Sequence, residues 1–194
     1  QFAQAELVGV RTYDLTRRLR GQLGTDAVAG DAWPIGSRVV LLNSAVPQIA
    51  LAESARGLAR HYRIGANARG YDDPNVLHRV QAFDGVGLRP YAPSHLRLNR
   101  RADGDVLVTW VRRTRVNGDG WQGVEVPLGE AREEYLVRVT SQGQVLRETL
   151  VDQRSWVYPA AAQAADLLEG EVQLSVAQVS DSFGPGPFRV VAVS

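Results

Sequence analysis

Neither cysteine nor methionine occurs in the 194 residues, and every one of the 22 basic side chains is arginine. Without cysteine there can be no disulfide and no thiolate metal site, and the redox compartment leaves no trace in the text. Arginine forks suit carboxylate, phosphate and interface pairing better than lysine does. A text rich in Arg, Ala, Gly and Val without Lys is nevertheless, above all, that of a GC-rich coding sequence. A surplus of charge is missing too: the net charge is +1, so no global field draws the chain to nucleic acid or membrane. No apolar run approaches the length of a membrane span. Residue 1 is Gln rather than Met, so the chain reads as a piece of a longer polypeptide.

Catalytic signatures are equally scarce. No Gly-x-Ser-x-Gly elbow and no cysteine nucleophile is present. Gly21 and Gly24 are spaced like part of a phosphate loop, but no Lys-Ser/Thr pair follows them. His61, His78 and His95 recur every 17 residues. They fall on different elements, one in the linker described below, without acids at i+3 or i+4, and read as solvent or loop histidines rather than metal ligands. The carboxylate pairs Asp72-Asp73 and Glu133-Glu134 are adjacent in sequence, which points them apart in a strand, so they read as solvated groups rather than a glycosidase dyad. The expectation is a non-enzyme with no catalytic residue, no metal and no cofactor.

The chain changes character at Gly87-Leu88-Arg89-Pro90-Tyr91-Ala92-Pro93-Ser94. Two prolines three apart fix φ, remove two donors and push their predecessors toward extended geometry. Leu88–Pro93 reads as a linker. It divides a β-rich domain, residues 1–90, completed by upstream chain, from a second domain, residues 91–194. In the first, Ala5–Tyr13 reads as a strand with Gly9 marking a bulge. Asp14 either caps a short helix over Leu15–Arg20 or lets the strand continue. Ser37–Leu42 reads as a strand, as do Tyr62–Ala66 and Val76–Phe83 on either side of the turn at Gly70–Asn75. Ile49–Leu58, rich in alanine, is ambiguous and could be a helix ended near Gly57.

The second region alternates. Leu96 and Leu98 open it, followed by Val106, Val108 and Trp110, then Tyr135, Val137 and Val139, then Val145–Leu150, Trp156 and Tyr158. Val172, Leu174 and Val176 follow, and after the turn Gly184-Pro185-Gly186-Pro187 comes a last strand, Phe188–Val193. Seven such strands in about a hundred residues predict a two-sheet, immunoglobulin-like sandwich, with Trp110 as an anchor between the sheets. The fold class is therefore mainly β. Val106-x-Val108-x-Trp110, Tyr135-x-Val137 and Ser182-Phe183-Gly184-Pro185-Gly186-Pro187 resemble a fibronectin type III module. That family usually places a Tyr at the start of its sixth strand, where this chain has Val172. The corner hydrogen bond is then absent or supplied differently.

A narrower resemblance spans both regions. It rests on Tyr13-x-Leu15 with Leu19-Arg20-Gly21-Gln22-x-Gly24-Thr25, the linker Leu88–Pro93, and Trp110-x-Arg112-Arg113-Thr114-Arg115. Trp121 with Val126-Pro127-Leu128-Gly129-Glu130 and Tyr135, and Ala162-Gln163-x-Ala165-Asp166, add to it. Together these resemble the C-terminal part of the large tail-tip protein of gene transfer agents and related siphophages, the host-specificity or baseplate "megatron" protein. The resemblance implies a structural part of a phage-like tail, in a virion or related particle. Its partners would be other tail-tip proteins, copies of itself and host cell-surface polysaccharide. Alternatives are an accessory region of a secreted carbohydrate-active enzyme and a bacterial surface adhesion module.

The segment most open to binding is the 24-residue interval between Trp110 and Tyr135, longer than a fibronectin module uses here. Arg112, Arg113 and Arg115 lead into Asn-Gly and Asp-Gly pairs that specify tight turns and then Trp121. Trp121 either covers a sheet edge or an arginine through a cation–π contact, or stays partly exposed to stack on a sugar or dock a protein. Trp121, Arg112, Arg113 and Arg115 are the candidate binding residues.

Overall fold

The computed structural model describes residues 2–22, 25–118, 125–166 and 170–193. Its first element is a hairpin. β1 (Phe2–Gly9) and β2 (Thr12–Arg18) pair antiparallel, and Arg11 in the turn takes φ 55. The single strand expected over Ala5–Tyr13 is thus two strands, and the ladder slips between Leu7 and Gly9, where a bulge was expected. Asp14 caps no helix. It pairs with Glu6, and Thr12, Tyr13 and Thr16, which suit a pleated surface, carry the strand on to Arg18.

Contacts within the chain define two compact units. One comprises residues 1–30 together with 87–194, the other residues 31–86. The N-terminal hairpin therefore belongs with the C-terminal region, whereas the sequence suggested one domain over 1–90 and another from 91.

Residues 31–86 contain one hairpin, β3 (Arg60–Ile64) with β4 (Leu77–Gln81), in register from Arg60↔Gln81 to Ile64↔Leu77. The ambiguous Ile49–Leu58 stretch forms only a 3-10 turn at Glu53–Ala55. Gly57 follows at φ +70, a left-handed value that glycine adopts without strain, and its N–H donates to the Phe83 carbonyl at 3.0 Å. The strand expected at Ser37–Leu42 does not form: Val39, Val40, Leu41 and Leu42 are exposed and belong to no ladder. β-branched composition favours a strand only where a neighbour supplies hydrogen bonds and packing. Ala55 is the one buried apolar side chain of this unit among the described residues.

From Ser94 onward the alternation becomes a sandwich. One sheet has the order β5 (Ser94–Arg100), β6 (Val106–Val111) and β9 (Ser155–Tyr158). In the other, β8 (Gln144–Val151), β7 (Tyr135–Ser141) and β10 (Val172–Ser180) lie side by side. The short β11 (Gly184–Pro185) and then β12 (Arg189–Val193) both pair with β10. A short helix, α1 (Ala160–Ala165), links β9 to β10. All seven strands expected from the alternation are present, and the fold is a mainly β, fibronectin type III-like sandwich.

The core follows the period-two rule. Val106, Val108 and Trp110 face Tyr135, Val137, Val139, Val172, Leu174 and Val176. Trp110 meets the Tyr135 ring edge-on, centroids 5.2 Å apart, so one aromatic pair spans the two sheets as anticipated.

Candidate functional site

The segment from Arg112 to Glu134 is fixed at its base by arginine. Past the end of β6, Arg112 keeps the inward parity of Val108 and Trp110, which would bury a charge. Its side chain is 5% exposed. Nη2 donates to Glu125 Oε1 at 3.0 Å and to the Val126 carbonyl at 2.8 Å, and Nε lies 3.6 Å from Glu133. Arg154, just before β9, reaches the same Glu125 at 3.0 Å and Glu133 at 3.5 Å. Tyr135 completes the cluster, its hydroxyl donating to Glu133 Oε1 at 2.7 Å. Both guanidinium groups donate charge-assisted bonds to Glu125 and form longer ion pairs with Glu133, while Nε and Nη1 of the buried Arg112 make no hydrogen bond of their own among the described residues. The Arg112 hydrogen bond and the Arg154 charge hold the Glu125 carboxyl below its ordinary range. Burial and then Glu133 push the Tyr135 phenol above its own.

The neighbouring arginines are engaged as well. Arg113 Nη1 donates to Asp26 at 3.1 Å and its guanidinium sits over the Tyr91 ring, 5.0 Å from the centroid. It thereby ties the segment after β2 to the linker and the sandwich within one unit. Arg115 donates to the nearly buried Glu130 at 2.7 Å and lies over Phe183. The structure thus brings Arg112, Arg113 and Arg115 to one end of the sandwich, each paired within the chain. Trp121 lies outside the described residues, so neither reading of it is decided.

Sequence reasoning missed a second polar cluster. Tyr158, at the end of β9, donates to Asp166 Oδ2 at 2.7 Å, and Arg147 grips the same carboxylate at 2.9 and 2.7 Å. Gln163 donates to the Tyr158 and Gly104 carbonyls, and the Ala160 N–H donates to Asp105. This cluster ties β9, α1 and the turn before β6 together by side-chain hydrogen bonds. Ala162-Gln163-x-Ala165-Asp166 was visible as a motif, but nothing in it announced a partner 19 residues upstream.

The three histidines are exposed and lie on different elements, as expected, but two of them are in contact. His61 on β3 and His78 on β4 meet, Nδ1 to Nε2 at 2.9 Å, while His95, the second residue of β5, takes φ 51. Asp73 of the first acidic pair accepts from Asn75 and Arg69 in the 70–75 turn, and these bonds keep its carboxyl low. No group of three or more His, Cys, Asp or Glu is arranged to hold a metal ion among the described residues. No helix among them is long and apolar enough to cross a membrane.

Comparison with known proteins adds a family over the N-terminal segment. A family described as Rcc01698-like, C-terminal, matches residues 1–40. No curated protein matches the chain. Among solved structures, domains d3-d4 of the rat CD45 extracellular region are similar at 11% identity and TM-score 0.40, covering 98% of this chain and 93% of that one. An FN3 domain of human collagen XX is similar at 18% identity and TM-score 0.33, covering 54% of this chain and 91% of that one.

Proposed function

We propose that this chain is a non-enzymatic structural segment of a phage-like tail tip, in which the fibronectin-like module serves as spacer, assembly contact and host-surface element. The observation that carries the reading is the match of residues 1–40 to the Rcc01698-like C-terminal family, a name associated with gene transfer agents. Two features support it. The matched hairpin belongs to the same compact unit as the sandwich, joined through Asp26 and Arg113. Residues 31–86 expose Trp33, Ile35, Val39, Val40, Leu41 and Leu42, more apolar surface than a free domain keeps, as expected of a part buried in an assembly. The partners are other tail-tip proteins and further copies of the chain. The host ligand is cell-surface polysaccharide, met by the segment around Trp121 with weak single contacts summed by avidity.

The test is purification of released particles, with peptides of this chain followed by mass spectrometry and antibody labelling. Labelling at one tail end is the expected result. Peptides found only in a secreted soluble fraction beside a glycosidase, or only on the cell surface, would replace this reading with the accessory-module or adhesion alternative.

A further inference from the structure

We propose that His61 and His78 form a two-nitrogen chelating site for a divalent late first-row transition ion, copper(II) or nickel(II). The ladder of β3 and β4 pairs His61 with Val80 and Arg63 with His78. The two histidines are therefore diagonal neighbours on one face of the hairpin, and both are exposed. Their facing nitrogens, His61 Nδ1 and His78 Nε2, stand 2.9 Å apart.

That distance brings the two nitrogens within the span of one ion. Ligands at about 2.0–2.1 Å from an ion lie about 2.9 Å apart at a right angle and about 3.3 Å apart at the tetrahedral angle. Either spacing is within reach of exposed side chains, and the choice of ion rests on the donors: imidazole nitrogens suit copper(II) and nickel(II), and copper(II) stands highest in the affinity order for such ligands. In the ion-free pair the ring planes are 15° from parallel and the centroids 5.1 Å apart. The N–H of one ring then points along the ring-to-ring line at the lone pair of the other. On chelation that proton moves to the far nitrogen of its own ring. His61 then holds its proton on Nε2 and His78 on Nδ1, both imidazoles stay neutral, and both inner lone pairs are free to bind. The rings must turn so that these lone pairs converge, which exposed side chains do by ordinary rotamer motion. Water fills the remaining positions.

Arg63, directly opposite His78, opposes binding through its charge, although its Nη1 is held by the Tyr71 carbonyl at 2.8 Å. The consequence is local stability. A two-stranded hairpin is marginal alone, and Ala55 is the one buried apolar side chain of its unit among the described residues. An ion bridging β3 and β4 binds only the paired strands and so stabilises them by mass action.

The experiment is titration of the full chain with copper(II), read by calorimetry, electron paramagnetic resonance and amide exchange. One ion per chain is expected, with two imidazole nitrogens in the spectrum and slower exchange over 60–64 and 77–81. His61→Ala and His78→Ala each weaken binding by at least about tenfold, a change of about 1.4 kcal/mol. His95→Ala leaves it unchanged, and Arg63→Gln tightens it. A one-nitrogen spectrum, or binding that survives the His61→Ala/His78→Ala double variant, would overturn the site.

Discussion

The Tyr158 hydroxyl donates to Asp166 across the end of the sandwich at 2.7 Å, and Arg147 holds the other side of the same carboxylate. Fibronectin modules are expected to close this corner with a tyrosine from the sixth strand, where this chain has Val172 at the start of β10. Here the ring comes from the strand before the corner, β9, and the acceptor from the residue after α1. The contact thus joins the end of β9 to the end of α1.

Acid should dismantle this corner. The Arg147 hydrogen bonds, aided by Tyr158, hold the Asp166 carboxyl below its ordinary range despite its burial. A depressed carboxylate contributes stability that is present above its unfolded value, about 4, and lost as pH falls through its folded value. Thermal melts below about pH 4 should therefore fall more steeply for the native chain than for Asp166→Asn. Parallel curves would mean the carboxylate contributes nothing. Tyr158→Phe should cost about 1.5–3 kcal/mol at neutral pH, the value of one hydrogen bond to a charged acceptor.

Trp110 is 4% exposed and packed on Tyr135 between the sheets. Trp110→Ala should cost about 3–5 kcal/mol in urea unfolding, the range for emptying a buried aromatic site. A loss under about 1 kcal/mol would be that of a surface position and would contradict its place in the core.

Gly186 marks where the linker docks. A Cβ there would overlap the Pro90 carbonyl, which is backbone and cannot yield, while the Gly186 N–H donates to Gln178 at 2.9 Å. Gly186→Ala should destabilise the sandwich unit by about 1–3 kcal/mol, as overpacking does. Gly143→Ala meets no atom within 4 Å but sits at φ +78, so it isolates the backbone cost of about 1 kcal/mol. The two variants together separate clash from conformation.

The sandwich was legible because each strand has two faces, and burying one writes itself into alternate residues from Leu96 to Val193. Residues 31–86 were harder to read for the converse reason. Val39 to Leu42 has strand composition, but no neighbouring strand gives it hydrogen bonds, so propensity had nothing to act on. The histidine pair was nearly readable. Tyr62–Ala66 and Val76–Phe83 flank one turn and suggest one hairpin, but the register that makes residues 61 and 78 diagonal neighbours is not written in them. The pairings of Arg112, Arg113 and Arg115 were not readable, because acceptors such as Asp26, 87 residues away, leave no periodic mark.

Arg112 decides whether the segment between β6 and β7 has a fixed base. Its side chain is 5% exposed, whereas its partners Glu125 and Glu133 are 59% and 29% exposed. Arg112→Ala leaves those carboxylates partly able to rehydrate. Its cost should then be about 2–3 kcal/mol, below the 3–5 of a fully buried pair. Arg112→Lys restores charge but not the fork that serves Glu125 and the Val126 carbonyl together, so it should recover only part of the loss. Trp121→Ala, in the same interval of sequence, should change stability by less than about 1 kcal/mol, as a surface change does, while lowering adsorption of particles to cells. Urea unfolding and adsorption measured on all three variants separate the role of the arginine from that of the tryptophan. Full rescue by lysine would reduce Arg112 to a charge, and a large stability loss in Trp121→Ala with adsorption per folded particle unchanged would make that tryptophan a packing residue.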